Sequence, residues 1–257
     1  MSAYSQFNGA VAPTRRLFLF STTYTPTVNT VATIYVVGGG GGGGGFNSNY
    51  GGGSAGGGAC AVGIAIPLSS SVTYTVTVGA GGSRGYSQRF IGAYGGGGTG
   101  GTSSFSGSGI TTLTATGGTG GSNGVNGSGG TATGGTQNWR GGAGGANGGN
   151  SPGYVYGTRS GASGFYGDLN NATYWQFPFD SFAAGAVPGV GSGTYPGFQM
   201  GGLTAASTIV TSNVGWSYAN DGGFGAGGGG IYNNSYNQYG WAGAGGAGFV
   251  LIEAARL

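Results

Sequence analysis

Eight consecutive glycines, Gly38 to Gly45, follow directly on the strand-like phrase Thr33-Ile34-Tyr35-Val36-Val37. Glycine loses more backbone entropy on folding than any other residue and opposes α-helix. A tract of this kind orders only where its surroundings recover that loss. The same grammar recurs along the chain. A second glycine-rich run spans Gly51 to Gly58, and Gly225 to Gly230 and Gly240 to Gly248 lead into a closing apolar phrase, Phe249-Val250-Leu251-Ile252. In all, 70 of the 257 residues are glycine, against a usual share of about 7%.

Two familiar uses of such a composition are ruled out. Collagen needs glycine at every third position with abundant proline, and the chain has only seven prolines. Disordered chains are poor in aromatics and rich in charge, whereas this one holds 16 Tyr, 13 Phe and 4 Trp with 4% charged residues. The basic residues are all arginine, and the formal net charge is +3. They form no basic stripe, so binding of nucleic acid by phosphate neutralisation is not expected. Solubility has to come from Ser, Thr, Asn, Gln and exposed peptide groups.

The missing residue types also restrict chemistry. Without His or Lys, the Ser-His-Asp, Cys-His and Schiff-base arrangements cannot be assembled. His/Cys metal sites are excluded on the same ground, and no cofactor is expected. Paired carboxylates survive formally through Asp168, Asp180 and Asp221, but Gly167-Asp168-Leu169-Asn170 and Asn220-Asp221-Gly222 also read as turns. The many Gly-x-Gly-x-x-Gly matches carry no information in so glycine-rich a chain, because no Lys and helix follow them. The single cysteine, Cys60, is flanked by Ala59 and Ala61 and is expected to act as a small buried hydrophobe.

The strand signals predict an all-β fold with almost no α-helix. Val72, Tyr74, Val76 and Val78 alternate with threonines, the pattern of a half-buried antiparallel strand. Residues 31–37, 110–116 and 249–253 complete a small antiparallel β-frame, and 64–68 forms a strand ended by Pro67. Residues 1–30 read as an N-terminal attachment segment. Residues 31–257 read as one glycine-rich domain, with an aromatic loop region at about 151–241. Met1 to Ala12 has neither a basic start nor an apolar core, so it is not read as a secretory signal. No window holds ~18 apolar residues, so membrane insertion is not expected.

Between the strands, the glycine tracts can order as polyglycine-II helices, which are polyproline-II-like rods with three residues per turn. Eight residues would span about 25 Å. Rods without side chains can pack backbone to backbone and pair their peptide groups with one another. Ala, Ser or Thr would stand where the lattice meets solvent. Flexible linkers and Ω-like loops supported by tyrosine stacking are the competing readings.

Binding is the use that the aromatics suit best. Tyr and Trp offer an apolar face and a polar edge at low entropic cost. The candidate receptor-binding residues are Tyr174, Trp175 and Phe177, then Trp216 and Tyr218, then Tyr232, Tyr236 and Tyr239 within the stretch that ends at Trp241. Each competes with a core role.

Several phrases resemble the glycine-rich domain of bacteriophage tail fibres and receptor-binding tail proteins. They are Ile34 to Gly45, Thr73-Tyr74-Thr75-Val76-Thr77-Val78-Gly79-Ala80-Gly81-Gly82, Gly101-Thr102-Ser103-Ser104-Phe105, Thr114-Ala115-Thr116-Gly117-Gly118, and Gly245 to Glu253. The resemblance covers about 30–257. It implies a non-enzymatic tail-fibre tip or adhesin that binds a host surface receptor, either polysaccharide or outer-membrane protein. Residues 1–30 would dock on another virion protein. Such a protein would be made in the host cytoplasm and reside in the virion, without nucleic acid as a partner. The oligomeric state stays open between a homotrimer, common in fibres, and a lattice closed within one chain. The alternatives are a structural virion component, such as a fibre joint or a capsid or tail decoration, and an ice-binding protein.

Overall fold

The computed structural model describes residues 14–45, 52–88, 93–122, 124–144, 215–219, 221–231 and 237–255. Among these the fold is all-β, with no helix. The first sheet runs β1 (Thr14–Phe18), β14 (Phe249–Ala255), β3 (Thr30–Val37), β4 (Cys60–Leu68) and β11 (Gln137–Trp139). The second runs β10 (Ala132–Thr133), β9 (Leu113–Ala115), β8 (Ser103–Ser106), β5 (Tyr74–Thr77) and β2 (Thr22–Tyr24). Both are antiparallel throughout. The segments expected to form one frame therefore divide between two sheets, with 31–37 and 249–253 in the first and the cores of 72–78 and 110–116 in the second. Strands β1 and β2 fall inside the 1–30 stretch, which from Thr14 onward is built into the sheets.

The two sheets face each other across one core. Ile34 and Val36 of β3, with Val250 and Ile252 of β14, pack against Tyr74 and Val76 of β5, Phe105 of β8 and Leu113 of β9. The period-two pattern selects these residues: along β3 every second side chain is buried, and along β5 Tyr74 and Val76 are buried while Thr75 is exposed. Tyr74 and Phe105 stack at 5.3 Å between ring centroids. Pro67 does not end its strand. β4 continues through it in register with Val31, at a point beyond the reach of β11, which covers only residues 60–62. A proline without an N–H is tolerated at such an edge. Between Ala32 and Ile34 the β3–β4 register shifts, and there Ala65 adopts a φ of 54°.

Apart from residues 221–231, the long glycine tracts are continuations of sandwich strands. Gly38–Gly45 extends β3, and 52–59 returns into β4. Residues 79–85 leave β5, 95–101 enters β8, 116–122 leaves β9, 127–130 enters β10, 141–144 leaves β11 and 242–248 enters β14. Their hydrogen bonds repeat every three residues. Gly38, Gly41 and Gly44 donate to Ala59, Gly56 and Gly53; Gly39, Gly42 and Gly45 donate to Gly101, Gly98 and Gly95; Gly40 and Gly43 donate to Gly246 and Gly243. The carbonyls follow the same rule. Gly39 and Gly42 accept from Gly118 and Gly121, Gly40 and Gly43 from Gly82 and Gly85, and Gly41 and Gly44 from Gly228 and Ile231. Three residues per turn is the periodicity that sends successive N–H groups in three directions. The central tract is thereby enclosed on all sides and fully buried with its peptide groups paired, as a buried backbone requires.

Burial in the outer tracts has the same period. Gly79, Gly82 and Gly85 are buried while Ala80 and Ser83 are exposed; Gly118 and Gly121 are buried while Thr119 is exposed; Gly127 and Gly130 are buried while Ser128 and Thr131 are exposed. Residues with side chains stand at the solvent phase of each rod, as expected. Ser54, Ala55, Ala59, Ala226 and Ala242 are exceptions that lie inside.

Candidate binding pole

The described ends of the rods fall into two groups. One group joins the sandwich. The other ends far from it, and there the chain turns back. Gly45 and Gly52, Gln88 and Ala93, Gly144 and Gly215, and Ile231 and Asn237 flank the longer stretches outside the described residues. All belong to this far group. Gly45 donates to Gly95, Gly52 to Ile231 and Gly144 to Gly127, and residues 215–218 and 237–241 share a sheet with 86–88 and 93–95. Both flanks of the long 145–214 stretch therefore stand at one pole. At the opposite pole β14 runs away from the rods, so that Thr14 and Ala254 pair at the remote end of the first sheet.

The far pole carries a third sheet: β12 (Gly215–Tyr218), β13 (Asn237–Trp241), β6 (Tyr86–Gln88) and β7 (Ala93–Gly95), in that order. β12 and β13 are parallel, and the other pairs are antiparallel. Register aligns Trp216 with Tyr239, Tyr218 with Trp241, and Trp241 with Tyr86. Positions 216, 218, 239, 241, 86 and 88 thus belong to one alternating set. The other set faces the rods, since Ser87 and Gly240 are buried. Tyr86 and Trp241 are exposed, with ring centroids 6.1 Å apart and planes at 50°. Gly95 lies beside Tyr86, where a Cβ would run into the tyrosine ring at 2.5 Å from Cε1.

Of the residues expected from sequence to bind, Trp216, Tyr218 and Tyr239 come together in this sheet. Tyr174, Trp175, Phe177, Tyr232 and Tyr236 lie outside the described residues. Sequence reasoning missed Tyr86. Its signal was available in the phrase Gly85-Tyr86-Ser87-Gln88, where a lone aromatic directly follows the end of a glycine tract.

Charge is sparse near the pole. Arg84 and Asp221 approach to 3.4 Å on the surface, and Asp221 Oδ1 accepts a hydrogen bond from the Ala244 N–H at 2.7 Å. Asp168 and Asp180 lie outside the described residues. Among the described residues no group of three or more His, Cys, Asp or Glu gathers. Cys60 is fully buried between β3 and β11, and burial pushes its thiol pKa far up, so it is an inert core residue as expected. Tyr35, on the outer face of the first sheet, also has a raised pKa, first through burial and then through the nearby Glu253 carboxylate.

No curated protein matches the chain at a significant level. A family profile described as a glycine-rich domain matches residues 19–255, a span that includes both sheets of the sandwich except β1, the rods and the far pole. The chain belongs to this glycine-rich domain family.

Proposed function

We propose that the protein is a non-enzymatic attachment protein, an adhesin at the tip of a bacteriophage tail fibre, with polyglycine-II rods as its shaft. The observation that carries this reading is the gathering, at one pole away from the sandwich, of the described residues that flank the chain's longer remaining stretches. A lattice made of backbone has no side chains to spend on recognition, so recognition moves to its ends. Apart from Arg84, Asp221 and Phe224, the rods expose mainly small residues such as Ala80, Ser83, Thr119 and Ser128, whereas the far sheet exposes Tyr86, Tyr94 and Trp241. Loops held by a rigid scaffold are where binding residues concentrate.

In this reading the outer edge of the sandwich serves attachment to another virion protein. Leu17, Leu19 and Phe20, at the first sheet's edge strand and just after it, are 52%, 45% and 72% exposed, an apolar surface of the kind that marks contacts. The receptor is a host glycan or surface protein, and the protein resides in the virion. The test exchanges residues 154–240 for those of a related phage protein. Host range should change while particles still assemble. Loss of assembly would favour a structural joint instead.

A further inference from the structure

The adhesin reading leaves open what chemistry the far pole recognises. We propose that the Tyr86–Trp241 face of the third sheet is a stacking platform for a neutral sugar ring, which makes the ligand an uncharged glycan; this inference rests on the adhesin reading and names its ligand class.

Geometry is the first support. The two rings are 6.1 Å apart at 50° and are 38% and 39% exposed. The pair is tilted and partly exposed. The contrast is the core pair Tyr74–Phe105, at 5.3 Å and 15°, whose members are fully buried. An open Tyr–Trp pair offers apolar faces with polar edges, which suits the C–H face and the hydroxyl rim of a pyranose. Gly95 supports the arrangement, because any Cβ there would displace the Tyr86 ring. Gln88 stands one step along the same alternating set and is half-buried, so its amide can both donate to and accept from hydroxyls. On the reverse face Ser87 and Gly240 are buried, and Tyr94 at the outer strand is exposed.

Electrostatics then selects the occupant. Residues 86–88, 93–95, 215–218 and 237–241, which make up the sheet, include no acid and no base. The adjoining described charges, Arg84 and Asp221, satisfy each other. A site for phosphate, uronate or sialate would use a forked or clustered cation, and none stands among the sheet's residues. A neutral polyol meets its complement here in an uncharged aromatic and amide surface.

The experiment uses the full chain on immobilised dextran, mannan and galactan, with heparin and polygalacturonate as anionic controls, alongside adsorption to a panel of bacterial strains. The expected result is saturable binding to at least one neutral polysaccharide, unchanged between about 50 and about 500 mM sodium chloride. Trp241→Ala and Tyr86→Ala should each weaken it about tenfold, with Trp241→Phe retaining most of it. Tyr86→Leu keeps apolar bulk and removes the ring, so it separates lost stacking from lost folding, with melting curves as the control. The inference is overturned by binding to the anionic polymers alone, or by binding indifferent to both rings. It is equally overturned if the chain adsorbs to cells yet ignores every neutral glycan, in which case the adhesin reading stands. Failure to adsorb to any strain, with glycan binding intact, would instead remove the adhesin reading.

Discussion

A methyl group added at Gly41 would fall on the carbonyl of Thr119, and one at Gly38 on that of Thr116. None of residues 38–45 has a positive φ. Glycine is therefore needed in the central rod for its missing Cβ, and its access to left-handed backbone plays no part. Gly41→Ala should cost about 3 kcal/mol, the upper range for overpacking a tight interior. Gly96→Ala, whose Cβ finds its nearest neighbour at 3.4 Å, should stay within about 0.5 kcal/mol. Urea midpoints of the two variants make the comparison. Ala65 is the reverse case. Its φ of 54° is costly for an L-residue, and Ala65→Gly should stabilise the protein by up to about 1 kcal/mol in the same assay. Cys60 adds a pH dependence. Its folded pKa is raised by burial above the unfolded value, so its contribution is complete below about pH 8.5 and is lost above it. Each pH unit beyond that point should remove about 1.4 kcal/mol, and Tyr35, shifted in the same direction, adds to the fall from about pH 10. Cys60→Ala should flatten the first part of this decline in denaturation curves taken at rising pH.

Strands and rods depend on each other at the element scale. A rod of eight glycines cannot nucleate alone, because nothing offsets its entropy. The strands that precede it fix its start and direction, and each turn of three residues then adds bonds to neighbouring rods. Every N–H from Gly38 to Gly45 has a backbone partner. Amide exchange of these residues should be as slow as that of β3 and β14, whereas a flexible linker would exchange without protection. Phe105→Ala removes a fully buried ring from β8 and should cost about 4 kcal/mol. If strands and rods form one cooperative unit, that loss will speed exchange in residues 38–45 by the same free energy. Exchange confined to the sandwich would show two independent units. The alternation of β5 was legible in the sequence because one face is buried and the other is wet. The three-residue spacing of Ala80 and Ser83, of Thr116, Thr119 and Ser122, and of Ser128 and Thr131 carried the rod period in the same way, as the solvent phase of a threefold helix.

The whole molecule reads as a scaffold with chemistry kept to its ends. It contains no His, so few groups titrate near neutrality. Of its described ion pairs, Arg84 and Asp221 at 3.4 Å are exposed, whereas Arg15 Nε lies 2.8 Å from a largely buried Glu253 carboxylate across β1 and β14. An exposed pair contributes little, and neither pair titrates near neutrality. Stability should accordingly stay flat to within about 0.5 kcal/mol from pH 5.5 to 8, as melting temperatures in matched buffers will report.

Composition and period alone pointed to an all-β fold, offered ordered rods against flexible linkers for the glycine tracts, and closed His-based chemistry to the chain. Those conclusions follow from residue types, which are local properties. Only the tertiary structure decided that the frame is two facing sheets, and which rod lies against which. Glycine carries no side chain to encode a partner, so the pairing of Gly41 with Gly56, or of Gly42 with Gly98, is imposed by where the strands place each rod. The pole was equally hidden. Tyr86 and Trp241 are far apart in sequence, and neither has a local pattern that names the other. They meet because residues 79–85 and 242–248 run side by side in opposite directions, with Gly82 and Gly85 accepting from Gly245 and Ala242, so that both tracts bring their aromatic ends to the same place.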